Sequence, residues 1–180
     1  AGDFLAPVEA FRREVAAAQR VVLLGMGGSS LAPEVLLRTF GAAPDWLALR
    51  VLDSTDPEAV AATVDDLDPL TTLFIVASKS GTTTEPLAFQ ADAWERIERA
   101  MHRRRLGGSP GAFMAAITDP GKPLASMPHH DDLREVFLNP SDVGGRYAAL
   151  TYIGLVPASL MGLDLDPFLA AASLMLARCR

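Results

Sequence analysis

The chain has 180 residues, 49% of them hydrophobic and 21% charged, which is enough apolar material for one well-buried domain and short for two. A net charge of −6 argues against nucleic acid or an anionic membrane as the main partner, because both reward a basic face. A single cysteine, Cys179, excludes an intrachain disulfide framework and a cysteine-rich metal site, and fits a reducing cytoplasm.

Phe4, Leu5, Val8, Phe11 and Val15 fall at helical spacing and predict an amphipathic helix over residues 4–19. Val21-Val-Leu-Leu24 runs into Gly25 as a short buried strand. Ser29 and Ser30 are N-cap candidates for a helix over 31–40, which Gly41 and Pro44 end. A second strand over 47–52 leads to Asp56-Pro57-Glu58, an N-cap with proline at the first helical position, and a helix to about residue 67. Residues 71–77 form a third strand. A long helix over 83–105 follows, with Pro86 tolerated in its first turn. Its basic end, His102-Arg-Arg-Arg105, suits a solvated helix C-terminus better than a binding patch. Gly107-Gly-Ser-Pro-Gly111 is a surface loop, and 113–117, 122–127 and 133–138 read as strand, short helix and a weaker fifth strand. From Tyr147 the chain is helical to Met161, with Pro157 inside, and a last helix spans 166–178.

Strands alternating with helices imply a three-layer α/β/α sandwich around an open, five-stranded parallel sheet. No repeat or linker interrupts it, so residues 1–180 read as one domain, with the sheet core at about 20–140 and C-terminal helices at about 147–179. If the strand order is 2-1-3-4-5, the first and third strands are neighbours and their loops flank the switch point where open α/β sheets bind ligands. Gly25-Met-Gly-Gly-Ser-Ser30 would then face Ser78-Lys-Ser-Gly-Thr-Thr-Thr-Glu85 across one crevice.

The second of these loops carries the strongest chemistry. A buried strand ends in five hydroxyls (Ser78, Ser80, Thr82, Thr83, Thr84), with Lys79 and Gly81 among them, and a helix follows. Hydroxyls and the free N–H groups of a helix start can hold a phosphoester without added charge. A plain helix cap would explain one hydroxyl. Lys79 is expected either to add Coulomb attraction or to point to solvent while its backbone N–H serves the ligand. Glu85, in the first turn, suits the helix dipole and is a possible site residue.

The first loop also invites a dinucleotide reading, but the third glycine of that fingerprint falls at Ser30. Its glycines could equally serve only a tight turn. A third loop, Asp142-Val-Gly-Gly-Arg146-Tyr147, can bend close to a ligand and aim a planar, permanently charged guanidinium at a phosphate or a developing oxyanion. His129 and His130 lack a third ligand at metal spacing, so no metal and no cofactor is expected. No run reaches the roughly 18–20 apolar residues of a membrane span, and Ala1-Gly-Asp-Phe4 is not a signal peptide. The missing initiator Met and the stop at Arg178-Cys-Arg180 lead to the expectation of a domain excised from a longer protein.

Together the three loops resemble the sugar isomerase (SIS) domain, and within it the N-terminal domain of the glucose-6-phosphate isomerase family. Gly25-Met-Gly-Gly-Ser-Ser30 is similar to that family's first Gly-Gly-Ser loop, and Ser78-Lys-Ser-Gly-Thr-Thr-Thr-Glu85 to its phosphate loop in the bacterial form. Val143-Gly-Gly-Arg-Tyr147 resembles its Val-Gly-Gly-Arg-Tyr-Ser signature, with Ala148 in place of the serine. Leu155-Val-Pro-Ala-Ser-Leu-Met-Gly162 is similar to the isomerase half of bacterial transaldolase–isomerase fusions.

The resemblance implies a flavodoxin-like strand order and a sugar-phosphate ligand, glucose 6-phosphate or fructose 6-phosphate. Ser78, Ser80 and Thr83 would hold the phosphate, with backbone N–H groups from Lys79 through Gly81 to Thr82. Gly28 and Ser29 would touch the sugar hydroxyls, and Arg146 would stabilise an enediolate. The general base of the family, a glutamate, and its ring-opening histidine and lysine come from a second SIS domain, and no matching motif stands here. The implied partner is a second copy or a second SIS domain, with neither nucleic acid nor membrane. A stand-alone phosphosugar-sensing module and a dinucleotide-binding domain remain the alternatives.

Overall fold

Five short apolar runs form one parallel sheet in the computed structural model, which describes residues 4–179. Ala1-Gly-Asp3 and Arg180, on which the expectation of cut ends partly rests, lie outside the described residues. The strands are β1 (Arg20–Gly25), β2 (Ala48–Leu52), β3 (Thr72–Ala77), β4 (Met114–Thr118) and β5 (Glu135–Leu138), in the order β2-β1-β3-β4-β5. Both the parallel sheet and the order follow the expectation. β3 and β4 are buried along their whole length, and β1 beyond Arg20, because helices cover both faces of the sheet.

The pleat sends alternate residues into two separate cores. Val21, Leu23, Leu73, Ile75, Ala115, Ile117 and Phe137 pack under α1 (Ala6–Glu14), α2 (Gly28–Phe40) and α6 (Tyr152–Leu160). Val22, Leu24, Phe74, Val76, Met114 and Ala116 pack under α3 (Pro57–Val64) and α4 (Thr84–Arg104). α5 (Lys122–Ala125) is one turn in the connection from β4 to β5, and α7 (Leu165–Arg178) closes the chain. Eight of the nine residues of α6 are buried, so it is apolar all round and carries no polar face. No helix among the described residues is long and apolar enough to cross a membrane.

Several boundaries depart from the sequence reading. α1 stops at Glu14 despite three following alanines, because Gln19 must donate to the Thr71 carbonyl (2.8 Å) to enter the sheet. Tertiary pairing overrides helix propensity there. Residues 110–113 form a 3₁₀ turn ahead of β4, with Pro110 first and Ser109 accepting from the Gly111 N–H. β5 starts at Glu135, because the Arg134 N–H is already shared between the carbonyls of Gly111 and Met114. The stretch expected to be helical from Tyr147 is a 3₁₀ turn (Gly145–Leu150) before α6 begins. The basic run does end α4, with Arg105 in the left-handed conformation (φ 55°) closing it.

Candidate functional site

Gly25 and Ala77 are register partners, so β1 and β3 deliver their loops side by side at the carboxyl edge of the sheet. The chain leaves β1 towards β2 on one side and returns to β3 on the other, which makes this the switch point. α2 and α4 start there with no side-chain cap, whereas Asp56 caps α3 through the N–H groups of Glu58 and Ala59 (2.9 and 3.1 Å). At the start of α2 the N–H groups of Ser29 and Ser30 turn back to the carbonyls of Met26 and Gly27 (both 3.1 Å), so it is the start of α4 that keeps its first N–H groups available.

Ser29 and Ser30 do not cap α2, contrary to expectation. Gly27 takes the cap position with φ 55°, a conformation glycine adopts without strain, and the helix begins at Gly28. Both serines are therefore buried inside the first turn, and the Ser30 hydroxyl donates to the Gly27 carbonyl (3.0 Å).

The third loop reaches this turn by backbone contact. A Cβ placed on Gly28 would lie 2.7 Å from the Gly145 carbonyl carbon, 2.8 Å from its Cα and 3.1 Å from the Arg146 nitrogen. Only glycine at position 28 permits that approach, and it brings Arg146 to the crevice. The Arg146 side chain is exposed. Tyr147 beside it is 81% exposed.

The hydroxyl loop is internally organised. Ser80 Oγ sits 3.1 Å from Thr83 Oγ1 and accepts from the Thr82 hydroxyl and N–H, both at 3.3 Å. Gly81 donates its N–H to the Ser78 carbonyl (3.1 Å) and holds φ 64°. Any side chain at Gly81 would overlap the Pro123 carbonyl, so the loop rests on α5. Among the described residues, the backbone N–H groups of Lys79, Ser80 and Thr83 donate to nothing, while those of Gly81 and Thr82 are engaged within the loop. Ser78 is 2% exposed and its hydroxyl has no partner. Glu85 lies half-buried in the first turn of α4.

Lys79 does neither of the things expected of its side chain. Its ammonium turns away from the hydroxyls to Asp119 Oδ2 (2.5 Å), the Ser141 carbonyl (3.1 Å) and the Pro140 carbonyl (3.5 Å). Its charge is met inside the protein, and its N–H has no acceptor. Asp119 was missed by the sequence reading. The available signal was its place, as an acid directly after the end of β4 on the ligand edge of the sheet.

His129 stacks on Trp94 (centroids 3.9 Å apart), and His130 Nδ1 lies 3.0 Å from the Met127 carbonyl. No cluster of three or more His, Cys, Asp or Glu suited to a metal occurs among the described residues.

The phosphoglucose isomerase family model matches residues 11–177, and so includes all three loops. The chain belongs to the phosphoglucose isomerase family. A glucose-6-phosphate isomerase of Prochlorococcus marinus is 36% identical over 158 residues, covering 86% of this chain and 29% of that protein. The crystal structure of a hypothetical protein from Thermus thermophilus superposes with a TM-score of 0.81 at 32% identity, over 94% of this chain and 39% of that one. A Chlamydia trachomatis glucose-6-phosphate isomerase gives 0.70 at 26% identity, over 87% of this chain and 29% of that one. The phosphoglucose isomerase match thus concerns a part: the chain spans about a third of the length of the curated relatives it matches.

Proposed function

We propose that this chain is the sugar-phosphate-holding domain of a glucose-6-phosphate isomerase, which interconverts glucose 6-phosphate and fructose 6-phosphate through an enediolate. The observation that carries the reading is the meeting of Gly28 with Gly145, which sets the Arg146 loop against the turn after β1 while the hydroxyl loop lies on the neighbouring strand. A phosphate seated on the open N–H groups of Lys79, Ser80 and Thr83 and the hydroxyls of Ser78, Ser80 and Thr83 leaves the sugar running towards Gly28 and Ser29. Gly81 and Thr82 shape the loop, and Arg146 meets negative charge as it develops on the enediolate oxygens. Glu85 stabilises the start of α4.

The proton transfer between C1 and C2 needs a general base, and no group in these loops is placed for it. The reading assigns the base to a second domain of the same kind, in the same polypeptide or in a second copy. Loss of a positioned base removes about 10²–10⁴-fold from the rate.

Two measurements on the 180-residue chain test this. Fructose 6-phosphate in a coupled assay should give almost no turnover, and robust turnover would overturn the assignment of the base elsewhere. Calorimetric titration with 6-phosphogluconate should show binding that Ser80→Ala weakens by about 1.5–3 kcal/mol, the worth of a hydrogen bond to a charged group. Unchanged affinity in that variant would move the phosphate to another part of the surface. Preference for NAD over the sugar acid would replace the reading by a dinucleotide one.

A further inference from the structure

Lys79 is the sole cation in the 78–85 loop, yet its side chain is spent on the protein. An ammonium has three donors and no acceptor, and here three oxygens surround it: Asp119 Oδ2, the Ser141 carbonyl and the Pro140 carbonyl. The pair is largely shielded, with side-chain exposures of 22% for Lys79 and 12% for Asp119. Two backbone bonds run beside it, from the Ser78 N–H to the Ile117 carbonyl (3.0 Å) and from the Asp119 N–H to the Lys79 carbonyl (3.2 Å). The segments leaving β3, β4 and β5 are thus laced together at one lysine.

The surroundings make the lacing costly to undo. Ser78 Oγ, Thr118 Oγ1, Asn139 Oδ1 and the second Asp119 oxygen are buried at the same strand ends without partners. A carboxylate left unpaired in such a place is strongly destabilising. The ammonium is therefore held where it is.

We infer that Lys79 and Asp119 are positioning residues for the anion loop: their ion pair fixes the backbone at residues 78–80 so that the open N–H groups of Lys79 and Ser80 converge on one point. The lysine acts on the anion through its main chain, and its charge never touches the ligand. This rests on the anion-loop reading given above.

The test titrates the 180-residue chain with inorganic phosphate and with 6-phosphogluconate at several salt concentrations. The variants are Lys79→Met, Asp119→Asn, the double variant and Lys79→Arg, each checked by circular dichroism and thermal melting to be folded at the assay temperature. Each single neutral variant should bind both probes about tenfold more weakly, near the worth of one charge-assisted hydrogen bond. The double variant should be no weaker than the singles, since the pair acts as a unit. Lys79→Arg should keep most of the affinity, and the salt dependence should match wild type in every variant, because no screened charge–charge contact with the anion is lost. Unchanged or tighter binding by Asp119→Asn overturns the inference, since a lysine freed from its carboxylate and drawn to the anion is what direct contact predicts. A flatter salt dependence in Lys79→Met overturns it too. Failure of the wild-type chain to bind either probe instead removes the anion-loop reading itself, and that result is visible before any variant is made.

Discussion

A methyl group at Gly28 has nowhere to go, since the backbone of Gly145 and Arg146 already occupies its space. Because those atoms are main chain, the overlap cannot be relieved by turning a side chain. Gly28→Ala should therefore cost about 1–3 kcal/mol, the usual range for overpacking, or about 2–4 °C in melting temperature per kcal/mol for a domain of this size. It should also displace the Arg146 loop and weaken 6-phosphogluconate. A variant with wild-type melting and binding would show that the two loops part without consequence. At this scale the sequence was informative about residue types and less so about their contacts. The hydroxyls and glycines of the loops announced themselves by type. That Ser29 and Ser30 are buried in a helix turn, and that the Lys79 ammonium is claimed by Asp119, depends on the approach of loops far apart in the chain, which no local pattern encodes.

Among the elements, β2 is an edge strand and is tied to the helix beside it by Arg50. That guanidinium donates to the Thr63 carbonyl at the end of α3 (2.8 Å) and to both Asp66 oxygens (2.5 and 2.8 Å). The hydrogen bond from Arg50 holds the Asp66 carboxyl below the ordinary aspartate value. The folded chain therefore binds that proton less readily than the unfolded chain does. The stability it lends is complete above the ordinary aspartate value and is lost as pH falls through the depressed folded one. In an acid series of denaturation midpoints, Asp66→Asn should decline less steeply than wild type through that window; parallel curves would mean that the pair adds nothing. The strands and most helices were legible because both faces of the sheet are covered, which turns buried strands into unbroken apolar runs such as Phe74-Ile-Val-Ala77. The 3₁₀ turn at Gly145–Leu150 was not, since residues 147–150 suit a helix and the contacts of the turn with Gly28 and Gly154 lie outside any local pattern.

On the molecule as a whole, apolar surface is unevenly spread. Leu174, Met175 and Leu176 at the end of α7 are 56%, 59% and 56% exposed, and Leu31 and Val35 on α2 are 51% and 59% exposed. Clusters of this kind mark interaction faces on soluble domains. With the base assigned to another domain, such faces are where that domain, or a second copy, would pack. Sedimentation velocity on the 180-residue chain should show concentration-dependent association that Leu176→Glu with Leu174→Glu reduces; a strict monomer at all concentrations would remove the second copy as a substitute. The parallel sheet was readable from the alternation of elements, while the strand order, and with it the switch point, followed only from the family resemblance.

The Gly28–Gly145 contact also sets an order of events. The turn after β1 is complete once β3 has paired with its neighbour, whereas the hydroxyl loop also needs Pro123, Asp119, Pro140 and Ser141, on which it rests. Arg146 can join them only after β4 and β5 have been added at the far edge and the chain has crossed back over α2. Long-range closures of this kind are slow to form, because the entropy of the intervening loop must be lost before the contact rewards it. A nascent chain released before residue 145 would thus carry the hydroxyl loop without Arg146, and the contact that brings Arg146 to it is among the last to form.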